Sequence, residues 1–199
     1  MRHWDEMEED VSDGIWRLLG SAVHEIMSRV GQHNRLIEER MTEPVMGMKV
    51  TGKSDIYEGS DESIQDYKVT SVWTIKYDPK KWEEQLNTYA WFITKLGFNV
   101  KQIFVNAILR DWSAREYKRS KTGTYPPFAY QKIEIPLWTF EDQQAFIEKQ
   151  IAAHKAVELL KDEELPVCSV EDRWKDDIRC KQYCNVAKFC SWGSQYFKE

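Results

Sequence analysis

The sequence predicts an α/β protein in which a central mixed β-sheet is flanked by helices. Segments with helical and with strand-like spacing follow in the order helix, strand meander, helix, strand, strand, helix. The chain has 199 residues, the length of one domain or at most two small ones. Hydrophobic residues make up 42% of it, enough to bury a core, and it contains no low-complexity tract.

Three long helices are predicted. Apolar residues recur at helical spacing over residues 15–30, which predicts the first helix. Pro79 begins the second, because proline is favoured in the first turn of a helix, and Gly97 ends it. Thr139 with Asp142 resembles a capping box, after which we expect a long third helix.

Strands are predicted between these helices. β-Branched segments at 45–57 and 63–69 predict two or three antiparallel strands, with Gly52 as a break. Residues 100–110 form an apolar run typical of a buried strand, and residues 128–137 predict one more strand. The stretch between these two strands is polar and basic, so we expect a long loop or a hairpin tip there.

The formal net charge is −5, which argues weakly against a nucleic-acid partner. Most of the excess lies in residues 1–20, where acidic residues outnumber basic ones. The sign reverses after residue 110, where Arg115, Lys118 and Arg119 are candidate contacts for DNA phosphates. Aromatic residues nearby leave open a role in stacking on single-stranded bases, although a solvated loop is the simpler interpretation.

Apolar runs and cysteines indicate the compartment. The longest apolar run, residues 89–93, is too short to span a bilayer, and no secretory signal is visible, so we expect a soluble cytoplasmic protein. All four cysteines lie in the last 32 residues, at Cys168, Cys180, Cys184 and Cys190. Because cytoplasmic proteins seldom keep disulfides, this clustering predicts a metal site, with zinc and an iron–sulfur cluster both open.

Short motifs that can carry chemistry occur in a fixed order along the chain. They are GSAVHE with His24, GKSD with Asp55, DYK with Asp66 and Lys68, and QLNTY with Gln85 and Tyr89. Asp55 and Asp66 lie on neighbouring predicted strands, so a hairpin could bring both carboxylates to one end of the sheet. Together with an imidazole they form an oxygen-rich site suited to Mg²⁺ or Mn²⁺.

The remaining motif residues fit a phosphodiester substrate. Lys68 follows Asp66 by two residues, so both side chains leave the same face of the strand. There an ammonium can orient the attacking water or offset negative charge in the transition state. Gln85 and Tyr89 are four residues apart on one helix face and could hydrogen-bond a DNA phosphate or base. Each motif alone has a structural interpretation, but the ordered set favours a functional site.

This ordered set resembles the PD-(D/E)XK nuclease superfamily, and within it the RecB-like branch, over roughly residues 12–110. Residues 3–27 particularly resemble the phage-type members of that branch, which also includes CRISPR-associated adaptation nucleases. The resemblance implies a restriction-endonuclease-like fold with a C-terminal cysteine-rich metal segment. It therefore implies a nuclease domain over 1–165 and a cysteine-rich segment over 166–199 packed on the same domain.

The resemblance also assigns roles to the motif residues. The implied metal ligands are His24, Asp55, Asp66 and the main-chain carbonyl of Tyr67. Lys68 is implied to act in catalysis with the two aspartates, and Gln85 and Tyr89 to contact DNA. The last three cysteines resemble the cysteines that hold an iron–sulfur cluster in the family, which favours a [4Fe–4S] cluster over Zn²⁺.

The activity implied is that of a Mg²⁺- or Mn²⁺-dependent deoxyribonuclease. We expect an exonuclease that serves phage or mobile-element recombination and replication. One alternative is a catalytically silent DNA-binding or scaffolding module on a nuclease fold, although the intact motif set disfavours it. Another is a CRISPR adaptation nuclease. Related exonucleases can form rings, so a homo-oligomer is compatible with the sequence.

Overall fold

The computed structural model has the predicted fold class. It describes residues 11–29, 33–77, 80–121 and 123–197, in which a five-stranded mixed β-sheet is flanked by helices. The chain divides into two compact units, one formed by Ser12–Lys149 and the other containing Gln150–Glu199. Across the described ranges, no helix combines the length and the apolar character needed to cross a bilayer.

The sheet lies in the first unit. Within the described residues its strands are β1 (Arg35–Val45), β2 (Met48–Glu58), β3 (Ser63–Thr70), β4 (Gln102–Leu109) and β5 (Tyr130–Ile135). They lie across the sheet in chain order. The neighbours β3 and β4 are parallel, and the other neighbouring pairs are antiparallel. Because parallel neighbours need a crossover connection, the chain between β3 and β4 is helical.

The first hairpin is longer than the sequence predicted. Strands were expected from Val45 onward, but β1 begins at Arg35, in a charged segment that does not resemble a buried strand. Met46 and Gly47 connect β1 to β2 as a two-residue turn in which both residues have positive φ, 49° and 76°. This turn geometry matches the right-handed twist of hairpin strands and fixes the β1–β2 register.

The three predicted helices are present. The helices are α1 (Val11–Ser28), α2 (Val72–Tyr77), α3 (Lys80–Lys95), α4 (Ala114–Arg119) and α5 (Phe140–Val157), followed by α6 (Val170–Arg173) in the second unit. Pro79, the expected start of the second helix, lies outside the described residues. Gly97 ends α3 as predicted, with φ +90° and the Phe98 N–H donating to the Ile93 carbonyl. At α5, the Thr139 hydroxyl accepts from the Asp142 N–H at 3.1 Å.

Two short helices of the first unit were not predicted. Helix α4 lies in the segment that was expected to be a loop or hairpin tip. Helix α2 directly follows β3, and its start is fixed by Asp111, which accepts hydrogen bonds from the Ser71 hydroxyl at 2.6 Å and the Val72 N–H at 2.8 Å. Because Asp111 comes from the segment after β4, the residues close to α2 in sequence do not predict this cap.

Helix α3 supplies the centre of the core. Leu86, Ala90 and Ile93 recur at helical spacing and are fully buried, and α3 contacts β2, β3 and β4. Gly52 lies inside β2, contrary to the predicted break, because a Cβ there would come within 2.8 Å of the Phe92 ring. Glycine at this position therefore lets α3 approach the sheet closely, which brings α3 side chains next to the β2–β3 strands.

Candidate active site

Three acidic side chains lie in one row across the first three strands. Ile56 of β2 pairs with a residue of β1 on one side and a residue of β3 on the other. One position further along the strands, the same registers set Glu38, Asp55 and Asp66 side by side. Neighbouring strands are about 4.8 Å apart, so ionised side chains in such a row repel one another. A positively charged group among them would offset this repulsion.

His24 reaches this row from α1. Its Nδ1 atom lies 3.1 Å from Asp55 Oδ1 and 3.4 Å from Glu38 Oε1. The three atoms all lie within 4.8 Å of one another and could hold a metal ion. The structure therefore joins two of the predicted ligands, His24 and Asp55, and adds Glu38, which the sequence analysis did not identify.

Asp55 is buried where the β2–β3 pairing ends. Its Oδ2 atom accepts a hydrogen bond from the Tyr67 N–H at 2.7 Å. This side-chain bond takes the place of a backbone hydrogen bond between β2 and β3. Burial, followed by the charge of Asp66, raises the pKa of Asp55 to about 6. The hydrogen bond from Tyr67 and the charges of His24 and Lys68 act in the opposite direction.

Asp66 is the most deeply buried acid of the row, with 1% of its surface exposed. Its Oδ2 atom forms an ion pair with Lys68 Nζ at 2.7 Å, and its Oδ1 atom has no hydrogen-bond partner in the described parts of the chain. Burial raises the pKa of Asp66, and the ammonium of Lys68 opposes that rise. A buried carboxylate oxygen without a donor or a cation is unfavourable, which is the property expected of a metal-binding atom.

Gln85 and Tyr89 lie on the face of α3 nearest the acid row. The Gln85 amide donates to the Tyr89 hydroxyl at 2.7 Å. Burial raises the pKa of Tyr89, and the charges of Asp66 and Asp55 raise it further while Lys68 lowers it. The phenol therefore lies within electrostatic range of the carboxylates.

The basic residues Arg115, Lys118 and Arg119 are exposed on α4. The segment that leads to α4 is tied to the end of β3, since the Arg110 N–H donates to the Thr70 carbonyl at 2.9 Å. Parallel strands end at the same edge of a sheet, so α4 follows β4 at the edge where β3 also ends, just beyond Asp66 and Lys68. Two aromatic residues of this segment, Trp112 and Tyr125, form hydrogen bonds within it.

Glu38 could have been found from one local signal. Met46-Gly47 is a two-residue hairpin turn, and pairing outward from Val45 and Met48 leads directly to Glu38 opposite Asp55. The strands were predicted only from Val45 onward, so the hairpin was not extended back through the charged segment that precedes it.

The four cysteines lie in the second unit. Cys180 is buried, Cys168 is exposed, and Cys184 and Cys190 are half-buried. Burial raises the pKa of the Cys180 thiol, with further contributions from Asp177 and from the other three cysteines. The other three thiols are therefore within electrostatic range of Cys180. Among the described residues, no three sulfur atoms lie within 4.8 Å of one another.

Comparison with known proteins supports the fold. No protein-family model matches the chain, and no curated protein matches it. A crystal structure of SSO0001 is similar, with a TM-score of 0.53 and 16% identity over 92% of this chain and 71% of that chain. A crystal structure of a "Putative exonuclease" from Eubacterium rectale matches with a TM-score of 0.42 and 14% identity, over 74% of this chain and 57% of that chain. The likeness to SSO0001 shows a shared fold and does not by itself assign an activity.

Proposed function

We propose that this protein is a divalent-metal-dependent deoxyribonuclease that acts as an exonuclease. One observation carries the proposal: Asp55 and Asp66 are buried side by side, with the His24 imidazole and the Lys68 ammonium against them. Two neighbouring buried carboxylates raise each other's pKa unless a cation binds between them. A cation site beside a fixed ammonium is a combination that suits phosphodiester hydrolysis.

The donor set fits Mg²⁺ or Mn²⁺. His24, Asp55, Asp66 and the main-chain carbonyl of Tyr67 would hold the cation, and oxygen atoms predominate among them, as these ions prefer. The buried Oδ1 atom of Asp66, which has no hydrogen-bond partner within the described residues, supports this assignment most directly. When bound, the cation would supply positive charge to the scissile phosphate.

Lys68 is the residue assigned to the reacting phosphate. Its ammonium is oriented by Asp66 and its side chain is 25% exposed, so it can reach a substrate from a fixed position. From there it would orient the attacking water or offset the charge that develops on the phosphate oxygens. Asp55 and Asp66 would act with it by holding the cation.

DNA would be bound by two groups of residues. Gln85 and Tyr89 form one, because an amide and a phenol can both hydrogen-bond a phosphate or a base. Arg115, Lys118 and Arg119 on α4 form the other, because exposed basic side chains contact the DNA backbone. The exonuclease mode and the phage or mobile-element setting rest on the sequence resemblance to phage-type RecB-like nucleases.

We also propose that the four cysteines hold a [4Fe–4S] cluster with a structural role. Four cysteine thiolates can hold either Zn²⁺ or an iron–sulfur cluster. The cluster is proposed because the last three cysteines resemble those of the iron–sulfur members of the RecB-like branch.

Digestion of end-labelled single- and double-stranded DNA with Mg²⁺, Mn²⁺ or EDTA tests the activity. We expect shortening from an end that depends on the divalent cation and stops in EDTA. Internal cuts would show that the protein is an endonuclease and not an exonuclease. DNA binding without cleavage in either metal would instead favour the catalytically silent DNA-binding module.

A further inference from the structure

Glu38 occupies an unusual position in β1. Its backbone has φ +54°, a left-handed conformation that glutamate rarely adopts, while residues on both sides of it pair regularly with β2. Such strain persists where the surrounding structure holds a residue in place, and it occurs frequently at functional sites. The distortion is limited to the single residue of β1 that faces Asp55.

The surroundings of the Glu38 carboxylate divide its two oxygens between two partners. Oε2 forms an ion pair with Lys53, and Oε1 points toward His24 Nδ1, 3.4 Å away. Adjacent ligands of an octahedral cation with bonds of about 2.1 Å lie about 3.0 Å apart. His24 Nδ1 lies 3.1 Å from Asp55 Oδ1 and 3.4 Å from Glu38 Oε1, and both distances are close to that value.

A second observation points to a ligand at the same place. Asp66 is the next acid of the row and is 1% exposed; its Oδ2 atom pairs with Lys68, and its Oδ1 atom has no hydrogen-bond partner within the described residues. The row therefore contains three carboxylates, whereas the lysines paired with it neutralise two of them.

We propose that Glu38 is a further ligand of the divalent cation, sharing it with His24 and Asp55. This inference rests on the proposed function and extends its ligand set beyond the residues that the sequence motifs supply. Lys53 binds the second oxygen of Glu38 and holds the carboxylate in place. The residue with this left-handed backbone is also the one whose Oε1 atom lies 3.4 Å from His24 Nδ1.

Mn²⁺ binding tests the role of Glu38 without depending on cleavage. Titration by calorimetry or by the electron paramagnetic resonance of free Mn²⁺ should show at least a tenfold weaker affinity for Glu38→Gln, because even groups that orient ligands contribute about 10–100-fold. Glu39→Gln is the matched control, since it removes the same charge from the next residue, which is exposed. Its Mn²⁺ affinity should stay within twofold of wild type.

A second variant guards against misfolding. Glu38→Gly removes the carboxylate and accepts the positive φ without strain, so it should fold and also bind Mn²⁺ at least tenfold more weakly. Wild-type affinity in both Glu38 variants, with weakened binding in Asp66→Asn, would overturn this inference and leave the proposed function intact. Failure of the wild-type protein to bind Mn²⁺ or to cleave DNA would overturn the proposed function, and the inference with it.

Discussion

The acid row and the cysteine segment, residues 168–190, are two candidate metal sites built in different ways. The acid row takes its side chains from α1 and three neighbouring strands, in the unit whose core is formed by α3 and the sheet. The cysteine segment takes all its thiols from one stretch of very short helical turns. The first site is therefore ordered by long-range packing, and the second depends much more on what it binds.

Positive φ angles occur in both regions, at Glu38 in the acid row and at three residues of the cysteine segment. Trp174, Asp176 and Asp177 in the cysteine segment all have positive φ, between 54° and 63°. Asp177 partly compensates, because its carboxylate accepts hydrogen bonds from Tyr196 at 2.6 Å, Arg173 at 3.0 Å and Trp192 at 3.2 Å. These bonds order the turn, but Cys168 and the loops around it remain exposed. We infer that the acid row is preformed, whereas the cysteine segment needs its cluster.

The largest expected effect is on catalysis. Lys68→Ala should lower the cleavage rate by about 10²–10³-fold, because removal of one group that stabilises transition-state charge has this magnitude. DNA binding should change little, whereas the melting temperature should fall, because the buried Asp66 carboxylate loses its ion-pair partner. Single-turnover cleavage of labelled DNA measures the loss, with Lys49→Ala, an exposed lysine of β2, as the control. Near-normal turnover in Lys68→Ala would remove Lys68 from the catalytic group.

The second-largest effect is expected when a cysteine ligand is removed, which should destabilise the second unit and leave the first unit unchanged. Cys184→Ala should lower the iron content of anaerobically purified protein and bleach its brown colour, because the cluster loses a ligand. Hydrogen exchange should then accelerate in the second unit, while α3 stays protected. Colourless wild-type protein with one zinc per chain would show that the cysteines bind zinc and not an iron–sulfur cluster. Metal-free protein with unchanged stability would remove the cysteine site altogether.

A smaller effect is expected at the α3 face of the acid row. Gln85→Ala should weaken cleavage several-fold without a large change in melting temperature, because Gln85 is half-buried and its side chain bonds Tyr89 rather than the core. Steady-state kinetics and a thermal melt measure the two quantities on the same preparation. A large loss of stability with normal specific activity would instead make Gln85 a packing residue.

The smallest effect concerns the cost of keeping the acids buried. Folding raises the pKa of Asp55 from 3.8 to about 6 and also raises that of Asp66, so the folded state binds these protons more tightly than the unfolded state. Their ionisation therefore lowers stability as the pH rises above about 4, and for Asp55 most of the loss is present once the pH exceeds its folded value.

This cost predicts that an inactivating change stabilises the metal-free protein. In EDTA at pH 7, Asp66→Asn should melt a few degrees above wild type, at roughly 2–4 °C for each kcal/mol gained in a protein of this size. The difference should shrink as the pH falls, because the wild-type carboxyl then takes up a proton and loses its charge. A melting temperature below that of wild type at pH 7 would show that ionised Asp66 stabilises the fold.

Much of the acid row could be predicted because its signals are local. His24, Asp55, Asp66 and Lys68 each lie in a short motif, and the structure brings them together on α1, β2 and β3. Glu38 was missed because its role depends on a hairpin register and on a strand whose sequence is mostly charged. Helix α2 was missed for a similar reason, since its cap comes from a segment far along the chain.

The most direct test of the central claim is a Mg²⁺ titration of cleavage on 5′-labelled linear DNA, comparing wild type with Asp66→Asn. The acid row predicts saturable, EDTA-sensitive end degradation by the wild-type protein. It predicts no detectable cleavage by Asp66→Asn at any Mg²⁺ concentration, although that variant should still fold and bind DNA. Full activity in purified Asp66→Asn, or wild-type cleavage that persists in EDTA, would contradict the assignment of the acid row as a metal-dependent nuclease centre.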